Sequence, residues 1–409
     1  VKDSVCGQFQ WIYSSHDNPG RRQPDEAYRQ IDKVGPFNYK GLVTPWEEPL
    51  DVYYMYRANY VSAAKDPMLY LVSHTWTDRF EKGRRRATIE AYSNCDSVLL
   101  YNDMTNEKAT FLGRKKNNGV GTHFMWENRD IRYNVLRAVG YYKGKPVAED
   151  LIVFKGLEQA PNFELLYQDD KKILKGEAGY NYLYRLNCGG DDYTDSFGQL
   201  WLQDNTNYSH SWAENFKDLN SYLASQRTTN DPIRATRDWK LFQHFRFGRH
   251  QLEYRFPVAD GTYRIELYFT EPWHGTGGSA STDCEGLRIF DVAVNDSVVL
   301  DDLDIWAESG HDGVCRKVVY ATVTGGMLRI HFPEVKAGQA LISGIAIAST
   351  DQELKPTVFP ASGWSWEKAD KEVMEKTPKE LLPEDKNARV SISYEAEMAV
   401  LKGKFQKKE

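Results

Sequence analysis

Three stretches of the chain gather residue types suited to holding a hydroxyl-rich ring. Trp11 closes the run Val5 to Ile12, and Ser14, Ser15, His16 and Asp17 follow at once. Trp46 stands beside Glu47, Glu48 and Pro49, and Trp273 and His274 precede the glycine-rich run Gly275 to Ser279. An indole offers a flat apolar face with a polar tip, which matches the C–H face and polar rim of a sugar. On that reading Trp11 stacks, His16 hydrogen-bonds a hydroxyl, Trp46 walls a cleft, and Trp273 with His274 forms a second platform. The plainer alternatives are core packing for the indoles and a satisfied loop histidine. Hydrolysis of a glycosidic bond needs two carboxyl groups, roughly 5 Å apart for retention or about 6.5–9.5 Å for inversion. Glu47 and Glu48 are adjacent and point in different directions, so they do not flank one bond. Neither is assigned a catalytic role. Arg21 and Arg22 would suit an anionic substrate group bidentately; solvated loop charge is the plainer reading.

The surrounding composition agrees with a carbohydrate setting. Eleven Trp, 25 Tyr and 18 Phe make 13% of the 409 residues, although β-sandwiches are rich in aromatics for their own reasons. A formal net charge of −6 argues against a nucleic-acid partner. No apolar run approaches the length of a transmembrane helix. The five cysteines show no CxxC pairing, so no metal and no cofactor are expected. Cys284 and Cys315 are the one pair placed to form a bridge, and five reduced thiols are the simpler expectation.

The elements that must position these residues follow from hydrophobic periodicity. Val5 to Ile12 reads as a buried strand, the long Pro- and Gly-rich loop after it as functional, and Leu50 to Ser62 as a helix with Val52, Tyr53, Tyr56 and Tyr60 at helical spacing after Pro49. A strand ending in Trp11, a loop and a helix have the form of the last βα unit of a (β/α)8 barrel, whose sites lie at strand C-termini. The other strands would have to come from an upstream segment. From Pro67 the period becomes two, with short strands predicted at 68–74, 87–92, 97–102, 122–127, 135–142 and 148–154. That spacing predicts an immunoglobulin-like sandwich. A second set of strands lies within residues 173–349. Residues 351–389, with Trp364 and Trp366, read as a draped linker, and 390–400 as one more strand.

Several motifs resemble known families. Gly7-Gln-Phe-Gln-Trp11, Lys40-Gly-Leu-Val-Thr-Pro-Trp-Glu-Glu-Pro49 and Val52-Tyr-Tyr-Met-Tyr-Arg57 resemble the close of the catalytic barrel in glycoside hydrolase family 2, which includes β-galactosidases and β-glucuronidases. Tyr92-Ser-Asn-Cys-Asp-Ser-Val98 and Ala138-Val-Gly-Tyr141 resemble the sandwich that follows that barrel. Leu186-Asn-Cys-Gly-Gly190, Leu241-Phe-Gln243, Tyr254-Arg-Phe-Pro-Val258, Leu267-Tyr-Phe-Thr-Glu271 and Arg288-Ile-Phe-Asp-Val292 resemble a malectin-like carbohydrate-binding domain. The first resemblance implies a substrate-lining role for Trp11, with Asp17 at a related position. It also implies catalytic carboxylates upstream of Val1. The malectin resemblance implies that Phe242, Trp273 and His274 hold a sugar.

The expected fold class is mainly β: an immunoglobulin-like sandwich and a malectin-like jelly roll, preceded by the last βα unit of a (β/α)8 barrel. The expected limits are 1–64 for the barrel unit, 65–158 for the immunoglobulin-like domain, 159–172 for a linker, 173–350 for the malectin-like domain, 351–389 for an extended linker and 390–409 for the first strand of a further module. The expected function is the C-terminal portion of a β-galactosidase-like exo-glycosidase acting on polysaccharide-derived oligosaccharides in the periplasm or outside the cell. Its partners would be a carbohydrate substrate and the upstream catalytic segment. The alternative is a non-catalytic carbohydrate-binding or scaffold protein.

Overall fold

The computed structural model describes residues 10–17, 37–38, 40–44, 46–80, 83, 85–204, 226–248, 252–275 and 283–356, with the backbone alone for 16–17 and 37–38. Arg21, Arg22, the greater part of the first predicted strand, most of the glycine-rich run after Trp273, and the segment holding Trp364, Trp366 and the last predicted strand lie outside these residues. Among the described residues the chain is mainly β. No described helix is long and apolar enough to cross a membrane.

The helix expected from Leu50 runs Asp51–Tyr60, with Leu50 at its N-cap after Pro49. It docks on the immunoglobulin-like domain through stacked rings: Tyr54 lies 4.0 Å from Tyr70 at an interplanar angle of 11°. The contact is fixed by polar ties at both ends. The Tyr70 hydroxyl donates to Asp51 at 2.6 Å, and Arg57 grips Asp66 at 2.7 Å.

Alternation of apolar and polar residues builds the first sandwich. A three-stranded sheet of Leu69–Val72, Arg86–Ser93 and Phe124–Asp130 faces a four-stranded sheet ordered Phe111–Lys116, Ser97–Tyr101, Val135–Tyr142, Lys145–Val153. Every pairing within them is antiparallel. Between the sheets, Leu71, Phe80, Ile89, Val98, Leu100, Trp126 and Ile152 form one dry cluster. The Trp126 ring is fully buried, and its N–H is satisfied by the carbonyl of Gly113 at 3.1 Å.

The second sandwich has more strands. Asn181–Cys188, Gly344–Ser349 and Gly261–Phe269 form the centre of a six-stranded sheet, with Leu200–Asp204 and Tyr193–Thr194 at one edge and Cys315–Val323 at the other. Opposite lies a sheet of Glu253–Pro257, Met327–His331, Ile289–Val294 and Ser297–Leu303, with Val335–Ala337 off its path. A third small sheet, Gln226–Thr228, His244–Gly248 and Ala340–Ile342, lies beside them. The core includes Tyr254, Phe256, Ile265, Leu267, Phe290, Ile330 and Ile345.

Two buried ion pairs sit within this apolar mass. Arg246 meets Asp204 at 3.2 Å, and Arg288 meets Glu271. The second pair holds the Glu271 carboxyl down at about 2: burial alone would raise it, but the Arg288 guanidinium more than offsets that. Four cysteines fall in described segments, Cys95, Cys188, Cys284 and Cys315, and all four are buried free thiols. The Cys284–Cys315 bridge, the one pairing the spacing allowed, is thus not made.

Candidate functional site

The site is best built from the Lys40–Pro49 segment inward. Tyr13 and Val43 carbonyls accept hydrogen bonds from Leu42 and Ser15 at 2.7 Å each, which ties the loop after Trp11 to the segment before the helix. Gly41 makes that approach possible, because a Cβ there would lie 2.1 Å from the Ser15 nitrogen. The segment then carries Trp46 into the malectin-like domain. Its ring is 7% exposed, packs 5.7 Å from Phe247, and is covered by the Arg227 guanidinium at 5.1 Å. Glu48 closes the arrangement, accepting from the Trp46 indole at 2.9 Å and from Arg227 at 2.7 Å. Trp46 is therefore core and not the cleft wall expected of it. Its polar tip has a partner inside the protein, so nothing holds the ring at the surface.

The other predicted residues divide. Trp11 is 80% exposed, as a platform requires, and Tyr13 beside it is 64% exposed. His16 and Asp17 form a two-residue strand antiparallel to Phe37–Asn38; their side chains lie outside the description. Phe242 is fully buried, edge-on to Tyr268, and Trp273 is 4% exposed between Phe245 and Phe247 with Arg288 over its face at 4.9 Å. Neither offers the exposed ring that was expected. His274 is half-buried; burial pulls its pKa below the usual histidine value, and its Nε2 has no partner among the described residues.

What the structure brings together is a cleft between the two sandwiches. Its narrow end is a recess of about 60 Å³ lined by Glu48, Tyr54, Tyr70, His74, Asp231 and Trp273. Thr228, Thr229 and Asn230 wall this recess and also the wide end, a cavity of about 720 Å³. The wide end is lined by Phe154 and Lys155 on the immunoglobulin-like side. Asn187, Asp191, Tyr193, Trp239, Gln243 and His244 line it on the malectin-like side.

His74 bolts the two domains at the narrow end. Its Nδ1 lies 2.5 Å from Asp231 and its Nε2 lies 2.9 Å from Asp150. Burial works against the charged ring, yet the two carboxylates raise its pKa well above 6.5, which favours the imidazolium. At the wide end the polar groups are only partly satisfied. Asn187 is 2% exposed and donates to the Asp191 carbonyl at 2.8 Å, while its Oδ1 has no partner among the described residues. The amide lies so close beneath Gly190 that a Cβ there would meet its nitrogen at 2.2 Å, which accounts for the glycine in Asn-Cys-Gly-Gly. His244 is likewise held below its usual pKa, first by burial, with its Nδ1 unpartnered among the described residues.

Two unmet hydrogen-bonding atoms beside Trp239 and Tyr193 suit a ligand bearing hydroxyls. The acidic residues at the wide end, Asp191 and Asp192, are exposed sequence neighbours and not an opposed pair of the kind that glycoside hydrolysis uses. Of these residues the motifs pointed to Asn187 and Gln243 only as members of family signatures. His74, His244 and Trp239 carried no signal, because their partners lie in distant segments.

Comparison with known proteins supports a malectin-like domain in the second half of the chain. The Malectin domain family model matches residues 182–353. A putative beta-glucuronidase of Formosa agariphila is 30% identical over 157 residues, which are 37% of this chain and 17% of that protein. Malectin of Danio rerio is 24% identical over 166 residues, 39% of this chain and 52% of that protein. Among solved structures, Bacteroides uniformis beta-glucuronidase is similar at 26% identity and a TM-score of 0.33, covering 79% of this chain and 34% of that one. The ectodomain of ANX2 from Arabidopsis thaliana is similar at 17% identity and a TM-score of 0.33, covering 42% and 51%. The chain thus spans about a sixth and about half of the two protein relatives it matches.

Proposed function

We propose that this chain is the non-catalytic C-terminal part of a family 2 exo-β-glycosidase that works on oligosaccharides in the periplasm or outside the cell. The catalytic carboxylates belong to an upstream segment, and Trp11, with His16 and Asp17 behind it, lines the subsite of the sugar being cleaved. The observation that carries this reading is the seating of Trp46 and Glu48 in the malectin-like domain under Arg227. A free-standing lectin has no use for a barrel-like segment locked into its core. The sequence motifs favour a β-galactoside, whereas the similar enzyme of Formosa agariphila is named for β-glucuronides. Assay of the complete protein on nitrophenyl β-galactoside and nitrophenyl β-glucuronide decides between them, and turnover of neither, nor of any other β-glycoside, overturns the reading.

A second role, saccharide binding in the interdomain cleft, is supported by Asn187 and His244. Calorimetry of the chain with neutral and uronic oligosaccharides is expected to show binding that His244→Ala weakens at least tenfold. Equal affinity in the variant would leave the sandwiches as a scaffold alone.

A further inference from the structure

Behind the narrow end of the cleft, two loops of the malectin-like domain place Asp231, His311 and Asp312 side by side. Each contributes one potential ligand atom, and these atoms all lie within 4.8 Å of one another. The two aspartates are 8% and 6% exposed. Their backbones are fixed independently of any ion. Arg234 N–H donates to the Asp312 carbonyl at 2.8 Å, Asp312 N–H to the Glu271 carbonyl at 2.9 Å, and the Gln243 amide to the Asp231 carbonyl at 2.8 Å. The Arg234 guanidinium also holds the carbonyl of His311, at 2.8 and 3.0 Å. The side chains are thus aimed by the frame.

One atom in this group is left over. Asp312 Oδ2 lies 2.9 Å from His311 Nε2, but Asp312 Oδ1 is buried and has no hydrogen-bond partner among the described residues. A carboxylate oxygen taken out of water with no donor is costly, and in folded proteins such an atom usually marks a bound ion or water. The buried guanidinium of Arg288 is committed to Glu271 and the Gln339 carbonyl.

We propose that Asp231, His311 and Asp312 bind one divalent transition-metal ion, of the Zn²⁺ or Mn²⁺ type. Two carboxylate oxygens and an imidazole nitrogen suit such ions better than Ca²⁺, which takes oxygen ligands. Metal–ligand bonds of about 2.1 Å keep neighbouring ligand atoms about 3 to 4 Å apart, close to the spacing within 4.8 Å found here. Asp231 would then serve twice, holding the ion on one side and His74 on the other, so that the ion stiffens the junction between the sandwiches. Spacing along the chain carried no sign of this, because the ligands are 80 residues apart in sequence and share no motif.

Zinc chloride titrated into the EDTA-stripped full chain is expected to bind at one ion per chain, with Asp312→Asn and His311→Gln each weakening it at least tenfold. Asp291→Asn, in a separate acidic trio with the exposed Asp301 and Asp302, serves as the control and leaves the affinity unchanged. Cobalt added to the stripped wild-type chain gives a second readout independent of the variants: visible d–d absorption that zinc abolishes stoichiometrically. No heat of binding and no cobalt spectrum, or zinc affinity that follows Asp291 and ignores Asp312, would overturn the proposal. None of these measurements depends on glycosidase activity.

Discussion

At the scale of single residues, the malectin-like core depends on Glu271. Removing its charge leaves Arg288 buried and uncompensated, a loss that costs about 3–5 kcal/mol in comparable cases. Glu271→Gln should therefore lower the urea midpoint markedly with little change in slope. The same pair sets an acid limit. The carboxyl is near 2 in the folded state against 4.5 for the free side chain, so its stabilising contribution is complete above about 4.5 and is lost as pH falls toward 2. Urea unfolding at a series of acid pH values should show wild-type stability declining through that window, with the variant flatter across it. The Arg-Ile-Phe-Asp and Phe-Thr-Glu motifs named both partners. Their pairing was not legible, because it crosses between strands 17 residues apart.

At the scale of elements, legibility followed periodicity. The immunoglobulin-like strands alternate cleanly, and the predicted runs at 87–92, 97–102 and 135–142 are observed as Arg86–Ser93, Ser97–Tyr101 and Val135–Tyr142. The helix after Pro49 was equally plain. A motif fixes where Phe242 and Trp273 lie but not which way their rings turn, and both rings turn inward. Trp46 shows the same limit, and its burial leads to a prediction for the element it anchors. Trp46→Ala empties a core position of about 3–5 kcal/mol and frees Glu48 and Arg227. The segment 40–50 should then become the first site of limited proteolysis, while Tyr60→Ala at the exposed end of the helix leaves the cleavage pattern unchanged.

At the scale of the whole molecule, the junction of the two sandwiches is a polar joint that no local pattern could announce. His74 and Asp231 are separated by 157 positions and meet only once both domains are folded. Replacing His74 by Ala leaves Asp150 and Asp231 without their shared cation, a truncation worth about 2–5 kcal/mol where buried charge pairs span an interface. Hydrogen exchange at Thr228 to Asp231 and at Ser73 to Thr75 should rise together in that variant, with protection in the two cores retained. Exchange that rises in one core alone would mean that His74 serves its own domain and not the joint.

The four described cysteines bear on how such a protein is handled. Burial raises every one of these thiols above its ordinary value, most of all Cys188, and thiolate is the reactive form. Oxidants and alkylating reagents therefore meet little that they can attack at these positions. The folded chain can move from a reducing to an oxidising environment with its covalent connectivity unaltered there, and production in an ordinary bacterial cytosol needs no disulfide-forming machinery for them.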